Sequence, residues 1–439
     1  MQEILPEIPK IKYEGPDSDN PLSFRWYEPS RKVNGKTMAK HLRFSIAAWH
    51  SVGNGLRDIF GDETLTFPWK GEPQEKATEM RMQALAELAH KLQAPFVCFH
   101  GRDLFTEDPN YATQESNYHR QAKLLGSILS DYGIRLGWGT ENLFSHPMYA
   151  QGSLNSPFPK VAARAAAEVK LMLDITNELR GENYVLWGGR VGYQSLLVTN
   201  MEREIANLGN LYRAIADYRG KNYPGIQLLE EPKPKEPQIH QYSHDAATTL
   251  NFLRAAGIID AFKLNIEVNH AELAGKTFEH ELTVARINGN KIGGVDANSG
   301  AEFAGWDVDR YMESYPDALL GWNQIHLQGG LGSGVINHDA KPRRESTSWR
   351  EKVIGHVMAM DLFAKALLAV EEGRLDAIRQ LRDAQYSSYD DTVLGTTISG
   401  KLTPSLDALV EEARSGPVGE IPSGRYQEVR SLFQRVLER

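Results

Sequence analysis

The chain has 439 residues, 57 acidic against 49 basic, a formal net charge of −8, and 41% hydrophobic residues, which is the make-up of a globular protein and excludes a disordered or fibrous one. A single cysteine excludes an internal disulfide framework and any multi-cysteine zinc site, and the acidic balance argues against nucleic acid as a partner. The opening MQEILPEIPK has neither the basic nor the apolar segment of a signal peptide, and no apolar run is read as long enough to span a membrane, so a soluble cytoplasmic enzyme is expected.

In chain order, residues 1–40 read as a Pro- and Lys-punctuated N-terminal arm. Short apolar runs then alternate with helical patterns over 41–380. Candidate strands are Leu42–Ala48, Pro95–Phe99, Ile134–Gly137, Tyr184–Leu186, Ile226–Leu229, Phe262–Ile266, Ile292–Val295 and Gly334–Ile336. Between them, Thr78–Lys91, Lys160–Leu179 and Glu202–Tyr218 carry apolar residues at helical spacing, with Gly181 and Gly220 as C-cap signals. Asp245 is placed to N-cap a further helix to Ala256. Regular alternation of this kind predicts parallel β/α units closed into a (β/α)₈ TIM barrel. An open nucleotide-binding sheet would carry a G-x-G-x-x-G turn after the first strand, and Val52-Gly53-Asn54-Gly55 lacks its third glycine. Residues 381–439 form a Tyr-, Ser- and Gly-rich tail with short helices at Thr403–Ala413 and Arg425–Leu437, too small for its own core and expected to pack on a neighbouring subunit.

Barrel active sites gather at the C-terminal strand ends. The residues there are Trp49 and His50, His100 and Asp103, Thr140, Trp187, Glu231 and Lys233, Glu267 and His270, Asp296, and Asp339, with Asp307 and Asp309 from the loop after the seventh strand. Glu231, Glu267, Asp296, Asp307, Asp309 and Asp339 would bring six negative charges to one mouth. Such a group cannot ionise without compensation, and bound divalent cations with oxygen-dominated ligation, Mg²⁺, Mn²⁺ or Co²⁺, are the simplest answer. Helix caps and ordinary ion pairs explain any one of these residues taken singly. His100 with Asp103 suits proton handling near neutral pH, and Trp49, Trp138, Trp187 and Phe144 suit the apolar faces of a sugar. Cys98, inside an apolar strand, reads as buried and inert.

Taken together and in order, several blocks resemble xylose isomerase, in its longer class. They are HLRFSIAAWH (His41–His50), FVCFHGRD (Phe96–Asp103), LGWGTENLF (Leu136–Phe144), RGENYVLWGGR (Arg180–Arg190), EPKPKEPQIHQY (Glu231–Tyr242), KLNIEVNHAELAG (Lys263–Gly275), GGVDAN (Gly293–Asn298), GWDVD (Gly305–Asp309) and NHDAK (Asn337–Lys341). The resemblance implies interconversion of D-xylose with D-xylulose, and of D-glucose with D-fructose, by ring opening and a metal-assisted 1,2-hydride shift. It implies two divalent cations, Mg²⁺ first. Glu231, Glu267, Asp296 and Asp339 would hold one ion, and Glu267, His270, Asp307, Asp309 and Asp296 the other. By the same resemblance His100, oriented by Asp103, opens the ring and Lys233 contacts the sugar's O1 end. Trp49, Thr140, Phe144 and Trp187 shape the pocket, and Phe60 reaches a neighbouring subunit's site in a homotetramer.

The pattern is not complete. Gly101 stands where an acidic residue commonly follows the histidine, Glu141 replaces a usual alanine, and Glu230 adds a carboxylate beside Glu231; Glu141 and Arg102 suit an ion pair. These departures are the support for the alternative of a related sugar isomerase or epimerase on the same barrel. A metal-dependent DNA-repair endonuclease would instead bring a His-rich zinc cluster and a basic groove.

Overall fold

The computed structural model describes residues 3–301 and 303–439. Eight parallel strands close into a barrel: β1 Phe44–Ala47, β2 Phe96–His100, β3 Arg135–Thr140, β4 Asn183–Trp187, β5 Gln227–Glu231, β6 Phe262–Glu267, β7 Ile292–Asp296 and β8 Ile336–His338. Each pairs with its sequence neighbour, and β8 closes on β1 through Ile336↔Phe44, Asn337↔Ser45 and His338↔Ile46. The helices that follow are α1 Gln74–Lys91, α2 Tyr111–Tyr132, α3 Pro159–Glu178, α4 Met201–Asn222, α5 Ala246–Ala255, α6 Phe278–Ile287, α7 Tyr315–Gln328 and α8 Trp349–Glu371.

Local chemistry sets several helix starts. Asn110, Asn200, Asp245 and Ser314 each accept a backbone N–H three residues on, as N-caps do. The two expected glycine C-caps are corrected. The left-handed residue after α3 is Arg180 rather than Gly181, and α4 runs through Gly220 to Asn222. Its last turn is anchored to α3 where the Tyr218 and Tyr223 hydroxyls donate to Asp174 at 2.6 and 2.9 Å.

Inside the barrel, Phe96, Cys98, Trp138, Val185, Leu229 and Val335 pack into an apolar floor, against which Trp49 and Trp187 lie. Burying each large side chain contributes about 1.5–3 kcal/mol, so the floor fixes the height at which the mouth residues stand. Cys98 is fully buried with its thiol 3.0 Å from the Ser45 hydroxyl.

The chain divides into two compact units, Met1–Leu367 and Leu368–Arg439. In the first, Leu5, Ile8, Ile11, Phe24 and Tyr27 of the N-terminal segment are buried. In the second, α9 Asp376–Gln385 lies beside the chain's last helix, Tyr426–Leu437, whose Phe433 and Val436 are buried. One expectation about apolar runs is corrected. By length and composition α8 is apolar enough to cross a membrane, and 78% of its apolar window is buried inside the protein, as in a core helix.

Candidate active site

The strand ends deliver their side chains to one cavity of about 190 Å³ at the C-terminal mouth. Alternation along each strand decides which residues enter it. Glu231 faces the cavity, whereas Glu230 points out into the helical layer and accepts hydrogen bonds from the Tyr212 and Ser243 hydroxyls at 2.9 and 2.6 Å. Burial pushes the Glu230 carboxyl up to about 8.

One half of the cavity is lined with acid. All six expected carboxylates, His270 and Lys233 line it. Burial and the nearby Asp339 push Asp296 up to about 7, and burial with Asp307 pushes Asp309 up to about 6. Burial and neighbouring carboxylates also raise Glu231 and Glu267 well above the usual carboxylate range. Two carboxyls go the other way: burial opposes ionisation in both, but the Lys233 ammonium, 2.5 Å away, holds Asp307 well below the usual range, and His50 with the Trp49 indole lowers Asp339.

Three buried asparagine amides brace the group. Asn265 donates to Glu231 at 2.9 Å and to Asp296 at 2.7 Å, Asn337 to Asp296 at 2.7 Å, and Asn298 to Glu267 at 2.8 Å. Four sets of three ligand atoms lie mutually within 4.8 Å: His50–Asp309–Asp339, Glu231–Glu267–His270, Glu267–Asp307–Asp309 and Glu267–Asp296–Asp339. Glu267 belongs to three of the four. His270 Nδ1, 3.0 Å from Glu267 Oε2, is out of line for a hydrogen bond and has no hydrogen-bond partner among the described residues. A hard-oxygen donor set with a free imidazole nitrogen fits divalent cations of the Mg²⁺ and Mn²⁺ kind.

The other half is aromatic. Trp49, Trp138, Phe144 and Trp187 line it together with Thr140 and Val185. The His100 ring sits edge-on to Trp49 at 4.7 Å and to Phe144 at 5.8 Å. Asp103 stands behind it, outside the cavity lining, with Oδ2 3.1 Å from His100 Nδ1 and 2.8 Å from the His100 backbone nitrogen. Phe60 is not brought to this cavity. It is 78% exposed, with its ring 6.4 Å from that of Trp306. Sequence reasoning placed His50 at the first strand end without giving it a role, and did not include Val185 or the three asparagines. The asparagines had a signal: each stands two residues from a site carboxylate (Asn265 and Glu267, Asn298 and Asp296, Asn337 and Asp339).

No protein-family model matches the chain. Among curated proteins, a xylose isomerase of Thermotoga neapolitana is 40% identical over 99% of this chain and 97% of its own length. One from Burkholderia vietnamiensis is 42% identical over 98% of each, and one from Arabidopsis thaliana is 40% identical over 99% of this chain and 91% of its own. The chain belongs to the xylose isomerase family. A solved D-tagatose 3-epimerase-like protein aligns over 76% of this chain and 99% of its own at 13% identity and a TM-score of 0.48.

Two departures from the xylose isomerase pattern meet in space. A methyl group at Gly101 would lie 2.5 Å from Glu141 Oε2 and 2.7 Å from Tyr118 Cε2, so the glycine makes room for this carboxyl. Burial, then Glu168 and Glu107, raise Glu141 well above the carboxylate range, and Tyr118 donates to it at 3.4 Å. The expected Glu141–Arg102 pair does not form, because Arg102 pairs with Glu107 at 3.3 Å.

Proposed function

We propose that this chain interconverts D-xylose and D-xylulose, with D-glucose and D-fructose as a second pair, and that its cavity binds the sugar between an aromatic wall and a carboxylate-held metal centre. The observation that carries this reading is the division of one cavity into those two halves.

Asp103 accepts from His100 Nδ1 and so fixes the tautomer. That leaves Nε2 to exchange a proton with the ring oxygen and the anomeric hydroxyl as the sugar opens. Trp49, Phe144 and Trp187 offer flat apolar faces and exclude water from the open chain. Lys233, tied to Asp307, keeps its ammonium charged and presents it to the O1 end. Glu231, Glu267, Asp296 and Asp339 would hold one divalent cation, and Glu267, His270, Asp307, Asp309 and Asp296 the other; bound there, the ions would supply Lewis acidity at the sugar oxygens. Hydrogen then moves between C2 and C1 within the substrate, so no nicotinamide is required. Mg²⁺ is the ion we assign, with Mn²⁺ or Co²⁺ able to replace it.

We further assign the chain to the cytoplasm and to a homotetramer, with Phe60 reaching a neighbouring subunit's cavity and the C-terminal tail packing on another copy. The exposure of Phe60, Leu402 and Leu406 supports this. The test is direct. EDTA-stripped protein is incubated with D-xylose, with and without added Mg²⁺ or Mn²⁺. Xylulose is expected only with metal, and its absence with both metals overturns the reading.

A further inference from the structure

Beside the carboxylates, one imidazole and one ammonium have no part in the reaction just described. His50 Nε2 lies 3.0 Å from Asp309 Oδ2 and 3.0 Å from Asp339 Oδ1, two carboxylates that arrive from different loops. Both neighbours are acceptors, so Nε2 carries the proton. The preceding residue, Trp49, donates its indole N–H to the same Asp339 oxygen at 2.7 Å. The short helix Ala48–Ser51 thus holds together two groups that charge repulsion drives apart.

Lys352, from the first turn of α8, backs this helix. It is fully buried, and its ammonium donates to the backbone carbonyls of His50 at 2.8 Å, Ser51 at 2.7 Å and Asn54 at 3.3 Å. Carbonyls at the end of a helix have no partner within it. The Phe67 and Trp349 rings flank the ammonium at 5.2 and 5.1 Å. Its three hydrogen bonds are all spent on one turn, and moving that turn would leave a buried amino group without partners.

We propose that His50 and Lys352 are positioning residues that preset the metal centre: His50 spaces Asp309 and Asp339 for a cation, and Lys352 fixes the turn that presents His50. This rests on the reading that the carboxylate cluster holds divalent cations. It departs from the alternative in which His50 is itself a ligand beside Asp309 and Asp339.

The test is calorimetric titration of Mn²⁺ into metal-free full-length protein, with circular dichroism in EDTA as the check on folding. Loss of a group that orients metal ligands weakens binding roughly ten- to a hundredfold, and this is expected for both His50→Asn and Lys352→Met. Lys352→Arg, which keeps a cation able to reach several carbonyls, is expected to recover most of the affinity. Wild-type affinity in His50→Asn overturns the proposal, and so does a Lys352→Arg protein that folds normally yet binds no better than Lys352→Met. If Lys352→Met does not fold, Lys352→Arg is compared with wild type, and binding more than about tenfold weaker overturns the part assigned to Lys352. Failure of the wild type to bind Mn²⁺ overturns the metal reading instead. Co²⁺-saturated wild type and His50→Asn should share the same visible absorption bands. Displaced bands would mean that His50 coordinates the ion, which overturns the positioning role.

Discussion

Glu267 lies where three of the four candidate ligand sets overlap, so a change there touches both of the cations assigned to the cluster. Glu267→Gln keeps the shape and the Asn298 contact but removes the charge. Turnover should be lost, and so should most of the thermal stabilisation that metal confers, which for one site at a hundredfold excess over Kd is about 2.7 kcal/mol. Melting curves with and without Mg²⁺ check this, and an unchanged metal-dependent shift would refute the overlap. At this scale the carboxylates were legible because chemistry concentrates at strand ends. The amides that brace them were not, because an asparagine inside a strand, as Asn265 and Asn337 are, reads as a weak strand former until its partner is known, and Asn298, just past β7, reads as a loop residue. The part played by His50 was hidden for a related reason: its partners, Asp309 and Asp339, lie far along the chain, and only barrel closure brings them to it.

Elements carry their own predictions. Gly101 opens the short helix after β2 and Glu141 follows β3, and each tolerates only what the other leaves room for. Gly101→Ala should lower the thermal midpoint by the equivalent of about 1–3 kcal/mol, as overpacking does. Gly101→Ala with Glu141→Ala should recover part of that loss, a coupling that a double-mutant cycle measures.

Helix α5 offers a test by pH. Burial disfavours the Asp245 charge, but Lys276 and the Thr248 amide and hydroxyl outweigh it, so the carboxyl lies below its ordinary value. A depressed carboxyl gives stability that is present above its unfolded pKa, near 3.9, and is lost as pH falls through the folded one. Asp245→Asn keeps a cap acceptor and loses the ion pair. It should melt below wild type at pH 7, with the gap closing as the pH falls below about 4. The cap itself was legible in the sequence, whereas the ends of α3 and α4 were not. Gly181 is fixed by close packing, since a methyl there would meet Thr176 Cγ2 at 2.7 Å, and α4 outlasts its glycine because tyrosines tie its end to α3.

For the whole molecule, strand order and barrel closure followed from the alternation of β and α patterns, because eight β/α units of similar length leave few other arrangements. The N-terminal segment was less legible. Its pairings are two residues long, and its apolar side chains are buried by the rest of the first unit and not by a pattern of its own. In the second unit, Val393, Leu402, Leu406, Val418, Ile421 and Tyr426 are all strongly exposed, more apolar surface than a free segment normally leaves in water. Light scattering of the full chain should give four times the monomer mass. Removal of residues 381–439 should lower that mass while leaving the barrel's far-ultraviolet signal in place.

Closure of the ring also bears on how the chain is made. The strand that seals the barrel is the last of the eight to leave the ribosome, and it pairs with the first. Until then β1 waits with one edge unpaired, the kind of surface on which nascent chains aggregate. The equilibrium cost of joining such distant segments grows only with the logarithm of their separation, but the search is slow. Asp339 directly follows β8, so the last of the six carboxylates emerges with the final staple of the ring. A nascent chain that stalls short of it has neither a sealed barrel nor a full set of acids, and cation capture during synthesis would report that the ring is complete.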